Sequence, residues 1–267
     1  MDNYIKGNKE AWEEAFDMRQ EGFDSCVAEL VSRGDYSFFG DDMKTVLKRH
    51  DLSGKTIGQF CCNNGRELMS LVKTVGAAEG IGFDIAENMV SFANRTSAEL
   101  ALPCRFEAVN ILDIGDEYAG RLDAVIITIG ALCWFKSLKD YFAVVSKCMK
   151  KDGIIIINEA HPMTNMLAQP GEEEYDDEHP MNFAFSYFSH EWIGNGGMYY
   201  ITGKSYDSKT FTDYTHSVSD IIGSMCANGM VVTDMREFDY DISEGFAYLD
   251  GKGLPLSMII EARKANG

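Results

Sequence analysis

The chain has 267 residues, 45% of them hydrophobic, and a formal net charge of −18. That length and apolar share suit one α/β domain with an elaboration. No apolar run approaches the roughly 20 residues of a membrane span, and no Lys/Arg cluster offers the basic face that nucleic acid requires, so the expected partner is a small molecule, with a homodimer left open.

The first residues, MDNYIKGNKEAWEEAF, are charged and lack the apolar centre of a signal peptide. Cysteines 26, 61, 62, 104, 133, 148 and 226 are odd in number and lack the Cys-x₂-Cys spacing of a zinc site. They read as reduced residues of a cytoplasmic protein that holds no metal. Trp12, Phe16, Met18 and Phe23 interleave with acidic residues, so residues 8–33 read as one or two helices ending near Gly34. Asp41 or Asp42 caps a short helix to about His50. Residues 1–50 are therefore expected to form a helical lid segment, and 51–267 the main domain.

Residues 55–91 organise the rest. Lys55–Cys61 is a short apolar strand, Cys62-Asn63-Asn64-Gly65 is turn chemistry, and Leu68, Leu71 and Val72 recur at helical spacing. A second strand, Gly80–Phe83, ends at Asp84. Asp84 follows Gly65 at close to the roughly 20-residue spacing at which a βαβ nucleotide unit places its ribose-binding carboxylate. A helix over 87–100, a strand over 103–108, a buried strand DAVIIT over 123–128, a helix over 138–149 and a strand GIIIIN over 153–158 follow. This alternation predicts a doubly wound, mostly parallel α/β sheet. After it comes an insertion, 162–214, with the acidic run 172–178. Within it, 184–192 and 198–203 are expected to be strands of a hairpin turned by Gly194-Asn195-Gly196-Gly197. A helix from Thr215 or Ser217 to Gly229 and strands over 230–238 and 255–263 complete a seven-stranded sheet with a C-terminal antiparallel hairpin strand.

A dinucleotide turn places glycines at the three positions of G-x-G-x-x-G, which here are Cys61, Asn63 and Arg66. A nicotinamide oxidoreductase is therefore the lesser reading. The order of elements resembles the class I S-adenosylmethionine-dependent methyltransferases of small-molecule type. Their first motif, an acidic residue followed by G-x-G-x-G, is similar to Gln59-Phe60-Cys61-Cys62-Asn63-Asn64-Gly65, with Gln59 at the acidic position and only Gly65 retained as glycine. The resemblance implies S-adenosyl-L-methionine as cofactor. It implies binding by Gln59, Cys61, Asn63, Gly65, Asp84, Ile85, Met89, Asn110, Ile111 and Thr128, with Asp84 on the ribose and Asn110 and Ile111 on the adenine. It implies O- or N-methylation of a small acceptor, with the insertion covering the active site. The missing glycines leave a second reading, a non-catalytic binding or scaffold relative.

If the acceptor must lose a proton, a positioned base helps by roughly 10²–10⁴-fold. His161, Glu159, Tyr187 and His190 are the leading candidates because they follow the fifth strand or lie in the insertion, with Tyr199 and His216 behind them. His161 serves equally well as a cap on the loop before Pro162. The aromatics Tyr36, Phe38, Phe39, Trp134, Phe135, Phe183, Phe185, Tyr187, Phe188 and Trp192 are expected around the pocket.

Overall fold

The computed structural model describes residues 2–24, 26–188 and 190–265. Three helices come first: α1 (Asn3–Asp17), α2 (Val27–Ser32) and α3 (Asp41–Leu47). The alternating region runs β1 (Thr56–Phe60), α4 (Arg66–Val75), β2 (Glu79–Asp84), α5 (Glu87–Glu99), β3 (Cys104–Ala108), β4 (Leu122–Thr128), α6 (Leu138–Cys148) and β5 (Met149–Ala160). The remainder is β6 (Glu191–Gly194), α7 (Tyr199–Thr202), β7 (Phe211–Tyr214), α8 (Val218–Ala227), β8 (Met230–Phe238) and β9 (Ser257–Lys264).

Among the described residues one sheet has seven strands in the order β3-β2-β1-β4-β5-β9-β8. Strands β1 to β5 are parallel, and β9 runs antiparallel between β5 and β8. The run in β4 shows why the sequence reads as continuous hydrophobicity. Val125 and Ile127 enter one core with Phe60, Tyr141 and Phe142, while Ala124 and Ile126 enter another with Leu68, Met69 and Val46. A parallel strand with helices on both faces must be apolar on both. α8 starts on a reciprocal cap: Ser217 Oγ accepts from the Asp220 N–H at 3.1 Å, and Asp220 Oδ2 accepts from the Ser217 N–H at 2.9 Å. Removing such a cap costs about 1 kcal/mol.

The insertion carries a two-stranded sheet, but its strands are not the expected ones. β6 pairs antiparallel with β7, from Glu191↔Tyr214 to Gly194↔Phe211. Met198–Gly203 instead contains the single helical turn α7, which ends on Gly203 at φ +68°. Met198 and Ile201 lie three residues apart, and both are buried against Ala11, Ala15 and Phe16. That is helical spacing, and packing on α1 selects it over the strand. The glycines at 194–197 open a wide loop instead of a tight turn. Residues 184–188 form no strand, and Ser189 lies outside the described residues. No described helix is long and apolar enough to cross a membrane.

Candidate active site

A cavity of about 680 Å³ lies over the carboxyl ends of β1 to β4, where open α/β sheets bind ligands. Its floor begins with the turn after β1. Cys61, Asn63 and Gly65 have φ of +58°, +51° and +76°, so all three occupy the left-handed region. These are the positions where the resemblance puts glycine. The backbone shape is thus kept although two glycines are gone. A left-handed L-residue costs roughly 1–2 kcal/mol, less for Asn, and here neighbours hold it. The Cys62 N–H donates to Phe83 O at 3.0 Å, the Gly65 N–H to Cys62 O at 2.9 Å, and the Asn63 N–H to Asp84 Oδ2 at 2.7 Å. Of these three positions, Gly65 is a glycine with no room for a side chain. A Cβ there would stand 2.6 Å from the Phe106 ring and 2.9 Å from Ala93.

Asp84 ends β2 with both oxygens anchored, Oδ1 accepting from the Ala86 N–H at 3.0 Å. Burial raises its pKa to about 6, against the pull of the backbone N–H groups of Ala86, Asn63 and Ile85. Asn110 follows β3. Its Oδ1 accepts from the Leu112 N–H at 3.3 Å and its Nδ2 donates to Asp113 at 2.9 Å, which fixes the short turn carrying Ile111. At the end of β4, Thr128 Oγ1 donates to Glu67 Oε2 at 2.7 Å.

The opposite wall comes from distant segments. α1 contributes Tyr4, Ile5, Asn8 and Trp12; Phe23, Met198 and residues 242–244 complete it. Asn8 clamps α1 to β7: its Nδ2 donates to Thr212 O at 2.8 Å and its Oδ1 accepts from the Thr212 N–H at 2.7 Å, all buried. The Trp12 ring meets Trp134 edge-on at 5.3 Å. Arg66 is the cation among the lining residues, its guanidinium near Phe23 and Phe38.

Eight of the expected binding residues line this cavity: Cys61, Asn63, Asp84, Ile85, Met89, Asn110, Ile111 and Thr128. Gln59 and Gly65 sit behind it. None of the expected bases lines it. His161 accepts from the Met163 N–H at 3.0 Å through Nδ1 and faces Glu237, so it caps the short turn that starts at Pro162. Burial holds its pKa below the usual value, with Glu237 opposing. Glu159 is turned into the protein, where it accepts from the N–H groups of Gly130 and Ala131 at 2.7 and 3.2 Å and holds the loop after β4. Burial pushes its pKa to about 7. Tyr187 accepts from the Val218 N–H at 3.1 Å, His190 bonds to Thr215 Oγ1 at 3.0 Å, and His216 Nε2 lies 2.9 Å from Phe135 O. Tyr199 is exposed. Of the expected aromatics, Trp134 and Phe135 reach the cavity. Sequence reasoning missed Tyr4, Asn8, Trp12, Met198 and residues 242–244, all brought in by tertiary packing. Glu67 was also missed, though its place in the first turn of α4, two residues after Gly65, was a usable signal.

Residues 53–202 match the family described as Methyltransferase domain. The demethylmenaquinone methyltransferase of Lactococcus lactis subsp. lactis is 26% identical over 200 residues, covering 70% of this chain and 75% of that protein. Among solved structures, an S-adenosylmethionine-dependent methyltransferase from Mesorhizobium loti superposes with a TM-score of 0.61 at 17% identity, covering 84% of this chain and 98% of that one. A geranyl diphosphate C-methyltransferase from Streptomyces coelicolor A3(2), in complex with Mg²⁺, geranyl diphosphate and S-adenosyl-L-homocysteine, gives 0.56 at 15% identity, covering 84% and 80%.

Proposed function

We propose, given that the chain belongs to the methyltransferase-domain family and is an S-adenosylmethionine-dependent methyltransferase, that it methylates a small, largely apolar acceptor enclosed beside the cofactor. The observation that carries this is the turn Cys61–Gly65, left-handed at three alternate residues and hydrogen-bonded to Asp84. A ligand without a pyrophosphate suits that turn, and a nicotinamide reading has no support from it. The residues fit the cofactor. Asp84 receives the ribose hydroxyls through lone pairs its two backbone contacts leave free, Asn110 and Ile111 border the adenine, and Ile85 and Met89 cover it. The bound cofactor supplies a methyl carbon on a cationic sulfur, open to in-line attack.

This chain's own part in the reaction is alignment. Tyr4, Asn8, Trp12, Trp134, Phe135 and Met198 make the acceptor half of the wall, and it is mostly aromatic and apolar. Such a wall excludes water and holds a flat acceptor in one pose. Positioning of this kind can supply about 7–11 kcal/mol. Among the described residues no histidine lines the cavity, so an acceptor oxygen or nitrogen loses its proton to bulk solvent, before it binds or after the methylated product leaves. Carbon joins them as an acceptor atom, because one structural neighbour is a C-methyltransferase. Glu159 is assigned as a positioning residue for the loop 130–132, and His161 as a cap. Residues 1–50 and the insertion act together as a lid, through the Asn8 clamp on β7.

The test is transfer of a radiolabelled methyl group from S-adenosylmethionine to a panel of phenols, amines and prenylated or quinol-type aromatics. Labelling of an apolar aromatic member supports the proposal. Labelling confined to polar, charged acceptors would overturn it.

A further inference from the structure

The resemblance in the first motif places an acid at residue 59, and here the residue is the neutral Gln59. Gln59 is buried and does not reach the cavity, yet its Nε2 donates to Glu67 Oε2 at 2.6 Å. Thr128 Oγ1 donates to that same oxygen at 2.7 Å. Two neutral donors therefore aim one carboxylate from α4 at the cavity wall, where Glu67 is a lining residue. Its other oxygen, Oε1, has no hydrogen-bond partner among the described residues, and no described Lys, Arg or His pairs with it. The neighbouring Arg66 is turned towards Phe23 and Phe38. A half-buried carboxylate fixed by neutral groups alone lacks the cation that would offset its desolvation.

The sheet order says which part of a ligand would supply that cation. β1 lies between β2, which ends in Asp84, and β4, which ends in Thr128. A ligand with its diol on Asp84 and its base towards Asn110 therefore extends its far end past β1 to Glu67. S-adenosylmethionine carries an α-ammonium group at that end. We propose that Glu67 is the carboxylate that receives this ammonium group, taking over from α4 a charge that residue 59 has lost. The assignment rests on the reading of the cavity as an S-adenosylmethionine site. Gln59 and Glu67 then form a pair that shares one charge between two positions. Two carboxylates joined at this distance would repel, so Gln59 is the neutral partner that Glu67 requires.

Calorimetric titration with two ligands tests this without turnover. S-adenosylhomocysteine carries the amino-acid end, and methylthioadenosine has the same nucleoside without it. Glu67→Gln is expected to weaken S-adenosylhomocysteine by about 10- to 100-fold while changing methylthioadenosine by less than about twofold, the scale of one charge-assisted hydrogen bond. Equal weakening of both ligands would overturn the assignment, since Glu67 would then only shape the wall. No change in either would overturn it as well. Should Glu67→Gln fail to fold, Glu67→Asp, which keeps the charge but draws it back from the cavity, carries the test. Weakening of S-adenosylhomocysteine with methylthioadenosine unchanged supports the assignment, and equal weakening of both ligands contradicts it. If the unaltered protein binds neither ligand, the cofactor reading falls and takes this assignment with it.

Discussion

The two walls of the cavity are built on different principles. The strand-end wall is backbone: three left-handed residues, strand termini and N–H groups that aim Asp84. The lid wall is side chains from segments far apart in sequence, tied by Asn8 on Thr212 and by Trp12 on Trp134. A backbone-built wall tolerates changes of residue type wherever the conformation survives, which is how Cys61 and Asn63 can stand where glycine is usual. A side-chain-built wall can vary freely between relatives and so can set the acceptor.

If that contrast is right, the largest effect should come from breaking the backbone wall at Gly65, which is both left-handed and closely packed. Gly65→Val forces a side chain into Phe106 from a left-handed position. It should lower stability by about 2–5 kcal/mol, combining the conformational and overpacking costs, as read from urea unfolding. Survival of full stability would mean the turn can relocate. On the lid wall, Asn8→Ala leaves the Thr212 N–H and C=O buried without partners, at a cost of about 1–3 kcal/mol. Hydrogen exchange should then speed up in 3–17 and 211–214 while residues 56–84 keep their protection. Acceleration spread evenly over both walls would erase the distinction between them.

A pH series probes the loop after β4 that Glu159 holds on the strand-end wall. Glu159 is 7% exposed and its folded pKa is raised to about 7, so between about pH 4.5 and pH 7 the folded state keeps a proton that the unfolded state has released. Stability of the ligand-free protein should therefore fall as pH rises through that window, by on the order of 3 kcal/mol from this group. Glu159→Gln should flatten the slope. An unchanged slope would locate the titration elsewhere. The smallest effect is expected at His161, which lies outside the cavity. His161→Gln should cost about 1 kcal/mol as a lost cap and leave cofactor affinity unchanged, and a fall in affinity would return it to the active site.

How much of this was legible in the sequence follows the same division. DAVIIT, GIIIIN and the Gly65–Asp84 spacing announce themselves because parallel strands are apolar on both faces and the turn sits at a fixed distance from its carboxylate. Eight of the expected cofactor residues reach the cavity for that reason. His161 and Glu159 misled because a polar residue at a strand end reads as a ligand group whether it faces the cavity or the loop behind it. The insertion does carry a two-stranded sheet, but its second strand, expected over 198–203, misled because Met198 and Ile201 take their conformation from α1, nearly two hundred residues earlier. Tyr4, Asn8 and Trp12 gave no local sign of facing a ligand, since only tertiary packing brings α1 over the strands.

The central claim is that Asp84, held by the turn after β1, anchors a nucleoside cofactor. Calorimetric titration of S-adenosylhomocysteine into the unaltered protein and into Asp84→Asn, repeated from pH 5 to pH 8, tests it most directly. Because the ionised carboxylate accepts the hydroxyls, affinity should fall as pH drops through about 6 in the unaltered protein. In Asp84→Asn it should be lower by about 10-fold or more and lose that pH dependence. Equal affinity in the two proteins, or no binding to either, would contradict the account.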